Sequence, residues 1–304
     1  MQPISTDIRF LLGDRCIGRV QRRLVPVAYG LDAILNGAQI APASMPAKAD
    51  GYRLQSLPVD RLAKIATEFP GLIASAPQLY ARHYIDMRSG YDGYVARFSS
   101  KTRATLKRKV RKLAEADGGT ADIRSYHRAD QLDAFFAAAL PLSQRTYQAR
   151  LLDAGLPDHT GFRTEAKALA AADNLRAYIL FLHGAPVAYL YLPVVDDVLI
   201  YAYLGYDQAQ AHLSPGTVLQ MHALEELFAQ ERYRYFDFTE GDGAHKALFG
   251  TDHACCATVF LLKPTLANRM LLTGQQGFNA TVEGAGAWLD RIGAKAKIRK
   301  LLRG

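Results

Sequence analysis

The sequence predicts a fold of mixed helices and strands, of the α/β (α+β) class, that contains an antiparallel β-meander. Three β-rich runs are joined by two turn-like pairs, which is the spacing of a three-stranded meander. The runs are Arg176–Leu182, Pro186–Val194 and Val198–Gly205, and the pairs are His183-Gly184 and Asp196-Asp197. A helical run at Val218–Gln230 and a short strand at Tyr235–Phe238 follow the meander. This order of meander, loop, helix and strand is the most informative feature of the chain.

The chain before the meander alternates short strands and helices. Gly13-Asp14 is a good hairpin turn between Ile8–Leu12 and Cys16–Val20. Pro70-Gly71 ends a short helix that begins near Val59, and Leu79–Met87 is the next predicted strand. A strand at Ala121–Tyr126 and two helices, Gln131–Leu152 with an interruption near Pro141 and Arg163–Ala172, complete this part.

A basic helix is predicted between these elements. Ser99-Ser100 is an N-cap pair, and Gly118-Gly119 ends the helix after about Ala116. Leu106, Val110 and Leu113 form its apolar stripe. Its basic residues are Lys101, Arg103, Lys107, Arg108, Lys109, Arg111 and Lys112. This charge has three competing explanations: a solvated helix face, binding of a polyanion such as nucleic acid, and binding of anionic lipid or a carrier protein. Nucleic acid ranks last because no base-reading motif accompanies the charge.

The rest of the chain reads as a loop or single turn at Gly241–Gly250, a strand at Ala254–Leu262 and a helix after Pro264. We divide the chain into an N-terminal α/β part (1–98), a central domain (99–264) and a C-terminal basic helical segment (265–304). The N-terminal part and the central domain could be two weakly related halves. Trp288–Arg303 mixes apolar and basic residues, which suggests contact with an anionic membrane surface as a hypothesis.

Composition limits the functional class. The chain has 304 residues, 49% of them hydrophobic, and a net charge of +8, which suits a folded protein with anionic partners. Its three cysteines and its histidines have no metal-ligand spacing, so no metal site is expected. With neither an apolar run of membrane-spanning length nor a signal-peptide pattern, we expect a cytoplasmic protein, with the inner face of the membrane as an alternative location.

The segment Ser214-Pro215-Gly216-Thr217 opens the helix after the meander. A helix N-terminus presents unpaired N–H groups and the positive end of the helix dipole, and it binds phosphate readily. Proline pre-sets the first turn, glycine lets a ligand approach, and the two hydroxyls can donate. An ordinary helix start fits the same pattern and is the commoner explanation.

A family resemblance gives this pattern a meaning. Gly205-Tyr206-Asp207, Ser214-Pro215-Gly216 and Phe236-Asp237-Phe238, with Gly241-Asp242 and Lys246, resemble the cellulose-biosynthesis-type (CelD-like) acetyltransferase family of the GNAT superfamily. That family resembles the FemAB-like aminoacyltransferases in architecture. The resemblance spans about Ser99 to Phe260. It implies a GNAT acyl-CoA N-acyltransferase fold with a central mixed, mostly antiparallel sheet, and a donor wedged between the strand ending at Gly205 and the strand at Tyr235–Phe238.

The resemblance also implies the site residues. Donor-binding candidates are Gly205, His212, Ser214, Pro215, Gly216, Thr217 and Lys246. Candidates for proton transfer are Glu240, Asp242, His245 and Tyr203, because the amine must lose a proton and the leaving thiolate must gain one. Glu240 or Asp242 is expected to act as the base and Tyr203 as the acid, whereas a buried structural role is favoured for Asp237. The polar run Ser143–Gln148 would lie near the acceptor pocket by the same analogy, with a solvated helix face as the competing explanation.

The predicted function is transfer of an acyl group from acyl-CoA, or from an acyl carrier protein, to an amine of an envelope polysaccharide or lipid precursor such as a sphingoid base. Acyl-CoA would be a co-substrate, and no permanently bound cofactor is expected. The loop departs from the superfamily pattern, since His212–Thr217 contains one glycine and no leading arginine. A non-catalytic GNAT-fold subunit of envelope polysaccharide biosynthesis and a tRNA-dependent aminoacyltransferase of the FemAB type are the alternatives.

Overall fold

The computed structural model describes residues 2–12, 15–37, 44–145, 155–241 and 243–291. The strands are β1 (Ile4–Leu12), β2 (Arg15–Ala28), β3 (Gly51–Pro58), β4 (Ile73–Ala74), β5 (Gln78–Asp86), β6 (Asp122–Tyr126), β7 (Leu175–Leu182), β8 (Ala185–Val195), β9 (Val198–Ile200), β10 (Tyr203–Tyr206), β11 (Tyr235–Asp237) and β12 (Asp252–Leu262). The helices are α1 (Leu31–Leu35), α2 (Ile65–Glu68), α3 (Gly90–Ala96), α4 (Ser100–Ala116), α5 (Leu132–Arg145), α6 (Thr160–Ala171), α7 (Pro215–Ala229), α8 (Ala244–Phe249) and α9 (Leu266–Arg291).

The chain forms two compact units. One comprises Met1–Ala81 together with Ala254–Gly304, and the other is Arg82–His253. The predicted boundaries after residues 98 and 264 do not coincide with these units, because the C-terminal helix packs with the N-terminal strands rather than forming a segment of its own. No described helix combines the length and the apolar character that crossing a bilayer requires.

The first unit is built on a small mixed sheet. β1 pairs antiparallel with β2, β2 pairs parallel with β3, and β12 pairs antiparallel with both β3 and β4. One face of this sheet is covered by α9, and the apolar cluster beneath the helix contains Ile8, Leu24 and Leu272. The predicted hairpin is therefore present and longer than expected, although its turn at Gly13-Asp14 lies outside the described residues.

The second unit contains the strand order β5-β11-β9-β8-β7-β6, with β10 also paired to β8. All of these pairings are antiparallel except that of β9 with β11. Every residue of β7 is buried, because helices cover both sheet faces. α4, α7 and α8 contribute to the core on one face, and α5 and α6 contribute to the core on the other.

The basic helix and the helix after the meander form as the sequence predicts. The Ser99 hydroxyl accepts the Thr102 N–H and caps α4, which ends at Ala116. Leu106 and Leu113 of its apolar stripe are buried, whereas Val110 is exposed. Most residues of α7 are buried, and the exposed His222 and Glu225 mark its solvent side.

Two elements differ from the prediction. The expected strand Val198–Gly205 is interrupted at Tyr201-Ala202, because the Ala202 N–H donates to the Ile200 carbonyl instead of continuing a ladder. The expected interruption near Pro141 was wrong, and α5 continues through that residue. The side chains of Phe136, Leu140 and Leu142 are buried, and this packing holds the turn that proline weakens. The prediction extends this helix to Leu152, but residues 146–154 lie outside the described part of the chain.

Candidate functional site

The sheet of the second unit opens where the meander meets β11. Ile200 pairs with Asp237, and the Tyr201 N–H donates to the Asp237 carbonyl at 2.9 Å. After this bond β11 ends, whereas β10 continues along β8 from Tyr203. The two strands therefore part at Tyr201-Ala202. The family resemblance implies a donor wedged between the strand ending at Gly205 and the strand at Tyr235–Phe238, and these are the strands that part here.

Asp237 anchors one side of the opening. Its carboxylate is fully buried and accepts two hydrogen bonds from Arg82, from Nε at 3.0 Å and from Nη2 at 2.5 Å. The Thr239 N–H donates to the same carboxylate at 2.8 Å. A bidentate guanidinium pair with a further N–H donor holds a carboxylate rigidly. These contacts agree with the structural role that the sequence favours for this residue.

His245 and Gln220 meet on the α7 face of the opening. His245 Nε2 lies 2.6 Å from Gln220 Oε1, which joins α8 to α7. The imidazole packs against the rings of Phe249, Phe238 and Tyr201, with centroids 4.7, 6.3 and 6.4 Å away. Gln220 is fully buried, and its Nε2 has no hydrogen-bond partner in the described part of the chain.

The environment of His245 keeps its imidazole neutral. Burial is the main cause that lowers the pKa of His245 to about 4, and the charges of Lys109 and Lys246 lower it further. With Nε2–H donating to the Gln220 oxygen, Nδ1 carries the lone pair. The geometry thus offers a neutral hydrogen-bond acceptor at the opening.

The acidic candidates lie on the loop after β11. Lys246 Nζ donates to the Glu240 carbonyl oxygen at 2.6 Å and so ties α8 to this loop. Glu240 itself is partly exposed, so its carboxylate is within reach of solvent. The predicted candidate Asp242 lies outside the described residues. This contact supports a structural role for the Lys246 ammonium group, in addition to the predicted role of pairing with a donor phosphate.

Tyr203 faces the other side of the sheet. Its ring contacts those of Phe162 and Tyr191, with centroids 5.9 and 6.0 Å away, in the core beneath α5 and α6. His245 belongs to the α7 face, so the structure does not bring these two candidates together. Burial and the carboxylate of Glu165 raise the pKa of Tyr203, which keeps its hydroxyl protonated at neutral pH.

The loop before α7 is tightly bonded. Gln208–Leu213 forms a 3₁₀ turn, and the Asp207 carboxylate accepts the Ala209 N–H at 3.0 Å. Ser214 has a left-handed φ of 55° and accepts the Thr217 N–H at its carbonyl. Because Pro215 has no N–H and that of Thr217 is engaged, the helix start offers a phosphate fewer amides than an open loop would.

The two glycines of the predicted donor site have packing partners. A Cβ on Gly205 would lie 2.3 Å from Cε1 of Tyr189, which stands directly across from it on β8. A Cβ on Gly216 would lie 3.2 Å from both Leu204 and Tyr206. Close approach of neighbouring side chains therefore explains both glycines without a ligand.

The basic helix reaches this loop. Lys112 Nζ donates to the His212 carbonyl oxygen at 3.1 Å, and α4 packs along α7. One positive charge is therefore fixed beside the loop, and that of Lys109 acts on His245. The sequence points to His212 but not to its contact with α4, because Lys112 and His212 are 100 positions apart in the chain.

The polar run in α5 is partly buried. Ser143 Oγ accepts the Leu156 N–H at 2.7 Å and the Tyr189 hydroxyl at 3.0 Å. This network connects α5 with the strand that faces Gly205. Ser143 is thus a packed polar residue, whereas Gln144 and Arg145 are exposed and residues 146–148 lie outside the described part.

Gln220 belongs to this site, although it is not among the residues that the sequence predicts for it. It is a buried amide in a helix whose other buried residues are mainly apolar. A single amide within a run such as Val218-Leu219-Gln220-Met221 is a usable signal, because an unpaired polar group in a core is costly. Among the described residues, no group of three or more acidic, histidine or cysteine side chains is suited to a metal ion.

Comparison with known proteins identifies a domain within the second unit. Residues 100–247 match the family model described as an acetyltransferase (GNAT) domain. The chain contains a GNAT acetyltransferase domain. The protein is therefore a transferase of this type. No curated protein sequence matches the chain. The matched segment lies within the second unit and contains both the splayed strands and the loop before α7.

Solved structures show the same fold over more of the chain. FemX is 11% identical, with a TM-score of 0.52 over 86% of this chain and 88% of its own. The C-terminal domain of a protein classed as a lysylphosphatidylglycerol synthetase, from Agrobacterium fabrum, is 13% identical, with a TM-score of 0.52 over 76% and 73%. These similarities confirm the predicted fold class, a mostly antiparallel α/β fold of the two-half GNAT type.

Proposed function

We propose that the protein is an N-acyltransferase that moves an acyl group from a thioester donor, acyl-CoA or an acylated carrier protein, to an amine. The supporting observation is the splayed point at Tyr201-Ala202, which lies within a GNAT domain and beside His245. The acceptor class remains the one expected from the sequence, an envelope polysaccharide amine or a lipid amine of the sphingoid-base type. Membership of the CelD-like family is part of this proposal.

In the proposed reaction the amine nitrogen attacks the thioester carbonyl carbon. A C–N bond forms, the C–S bond breaks, and the proton lost by the amine is balanced by one gained by the thiolate. Glu240 takes the amine proton, directly or through water, and water protonates the leaving thiolate, because Tyr203 lies on the opposite face of the sheet from His245. Asp242 stays an alternative base, and neutral His245 accepts a hydrogen bond from the amine. The donor phosphates bind near Lys112 and the start of α7.

A donor panel tests this proposal. Isothermal titration with acetyl-CoA, a long-chain acyl-CoA and an acylated carrier protein should show binding of at least one, and the bound donor should be turned over with an amine. Glu240→Gln should lower kcat about 100-fold or more, as expected for loss of a general base, while the exposed Glu231→Gln should keep full activity. Unchanged turnover in Glu240→Gln would remove this residue from the reaction, and absence of all donor binding would favour a non-catalytic subunit.

Aminoacyl transfer from a charged tRNA is the second candidate. The similarity to FemX over most of the chain favours it, as do the seven basic residues of α4. The loop before α7 supports it too, since much of its backbone is already bonded. This candidate predicts RNA binding whose affinity falls steeply with salt, together with turnover of aminoacyl-tRNA and no response to acyl-CoA.

A further inference from the structure

The tip of the β1–β2 hairpin exposes large apolar side chains. Leu11, Leu12 and Ile17 are 47%, 40% and 54% exposed. The strand register shifts between Phe10 and Leu11, so Ile17 has no partner across the hairpin and is displaced from the ladder. Exposed apolar groups concentrated at one loop end are unusual for a surface that faces only water.

A pair of arginines lies directly behind this tip. Arg9 and Arg19 stand opposite each other across the two strands, and both are exposed. Arg19 lies 3.6 Å from Asp7, but among the described residues no carboxylate pairs with Arg9. Like charges directly opposite each other destabilise a strand pair, so this arrangement gains from an anion bound between them.

Helix α9 points towards the same end of the hairpin. The Phe10 and Phe278 rings lie 5.6 Å apart, and Gln275 Nε2 donates to the Arg9 carbonyl at 3.1 Å. Near the other end of β1, Arg22 bonds to Asn268 at the start of the helix. Between Asn268 and Phe278, α9 therefore runs along the hairpin towards its tip.

We propose that this hairpin tip docks the protein on an anionic phospholipid surface. Leu11, Leu12 and Ile17 enter the interfacial layer, and Arg9 and Arg19 bind the lipid phosphates that lie above it. The two kinds of side chain have different roles because they lie at different depths. Apolar side chains reach the boundary of the acyl chains, while guanidinium groups stay among the head groups. The charge of the surface that fits is negative, as in a membrane with anionic lipids. The inference does not depend on the acyl-transfer reaction.

The first test measures binding of the full-length protein to vesicles. Co-sedimentation with phosphatidylcholine vesicles containing phosphatidylglycerol should exceed that with phosphatidylcholine alone, and it should weaken as salt rises. The combined change Leu11→Ser, Leu12→Ser and Ile17→Ser should weaken binding about ten-fold or more, and Arg9→Gln with Arg19→Gln should do the same on anionic vesicles. The matched control is Ile4→Ser with Leu266→Ser, which changes exposed apolar residues away from the tip and should leave binding unchanged.

The second test reports on position. Cys16, at the tip, and Cys255, on β12, are both exposed, whereas Cys256 is buried. An environment-sensitive NBD label on Cys16 in a Cys255→Ser protein should shift to shorter wavelength on anionic vesicles. The same label on Cys255 in a Cys16→Ser protein should not shift. Equal shifts at both positions, or equal loss of vesicle binding in the tip and control variants, would overturn the proposal. The proposal would also be overturned if the protein did not bind vesicles and instead formed a dimer that the substitutions at the tip dissociate.

Discussion

At the scale of single residues, His245 shows how packing sets charge. The imidazole is enclosed by aromatic rings and bonded to the neutral amide of Gln220 rather than to a carboxylate. Two lysines, Lys109 from α4 and Lys246 from its own helix, add positive charge nearby. Burial and the two positive charges disfavour the imidazolium form. A histidine that stays neutral can accept a hydrogen bond from a substrate amine at any pH in the physiological range.

The depressed pKa of His245 predicts a pH dependence of stability. Its ordinary value of 6.5 falls to about 4 in the folded protein, so between these values only the unfolded chain takes up the proton. The contribution of His245 to the free energy of unfolding is complete above about pH 6.5. It is lost as the pH falls towards 4, at about 1.4 kcal/mol per pH unit. When the pH falls from 7 to 5, the free energy of unfolding should therefore decrease by about 2 kcal/mol less in His245→Gln than in the wild type. Urea unfolding at the two pH values measures this difference.

A variant of α4 provides the control for this prediction. Lys109→Ala removes a nearby positive charge and should raise the pKa of His245, followed by its NMR titration, whereas Lys101→Ala at the far end of α4 should not. If wild type and His245→Gln lose the same unfolding free energy on acidification, or if the imidazole titrates near 6.5, the burial of His245 is not what determines its charge.

At the scale of elements, the contact of β10 with β8 depends on a missing side chain. Gly205 lies opposite Tyr189, whose hydroxyl bonds to Ser143 of α5. The tyrosine ring occupies the space that a Cβ at position 205 would need. This glycine therefore allows a large aromatic side chain to connect the sheet to α5. The same residue was predicted to bind the donor, and that role remains a proposal beside the packing one.

Gly205→Ala should accordingly destabilise the protein. The new methyl group must displace the Tyr189 ring, and such overpacking costs about 1–3 kcal/mol of unfolding free energy. The matched control is Gly161→Ala in the first turn of α6, where a Cβ meets only ordinary contacts and alanine favours the helix. In a Tyr189→Leu background the cost of Gly205→Ala should shrink. An equal cost in both backgrounds, seen by chemical denaturation, would show that the ring is not the obstacle.

At the scale of the whole molecule, the first unit is built from both ends of the chain. α9 covers an apolar surface formed by Ile8, Leu24, Phe260 and Leu262. The C-terminal segment that the sequence set apart as a separate basic helix is thus partly a structural helix. Its buried residues include Leu272 and Gln275, which face β1 rather than solvent.

Truncation separates the two parts of this segment. A chain ending at Lys263 loses α9 and exposes the four core residues beneath it, so it should melt at a lower temperature and bind a hydrophobic dye. A chain ending at Arg291 keeps the helix and should melt like the full-length protein. Thermal unfolding followed by circular dichroism measures both. If removal of α9 leaves the melting temperature unchanged, the helix does not contribute to the core.

The sequence by itself determined the elements whose signals are local. The meander and helix α4 follow from turn pairs, a capping serine and apolar periodicity, which depend on residues close together in the chain. The family resemblance then supplied the GNAT fold class and the segment in which the site lies. Asp237 was expected to be buried because it stands between two phenylalanines.

Only the tertiary structure decided which side chains meet. The parting of the two strands at Tyr201 depends on where β11 ends at Asp237, the neutral state of His245 depends on burial and on Lys109, and the placement of Tyr203 on the other face depends on strand register. Each is a contact between residues far apart in sequence, and no local pattern encodes such a distance. The contact of the C-terminal helix with β1 is not visible in the sequence for the same reason, since the two elements lie at opposite ends of the chain.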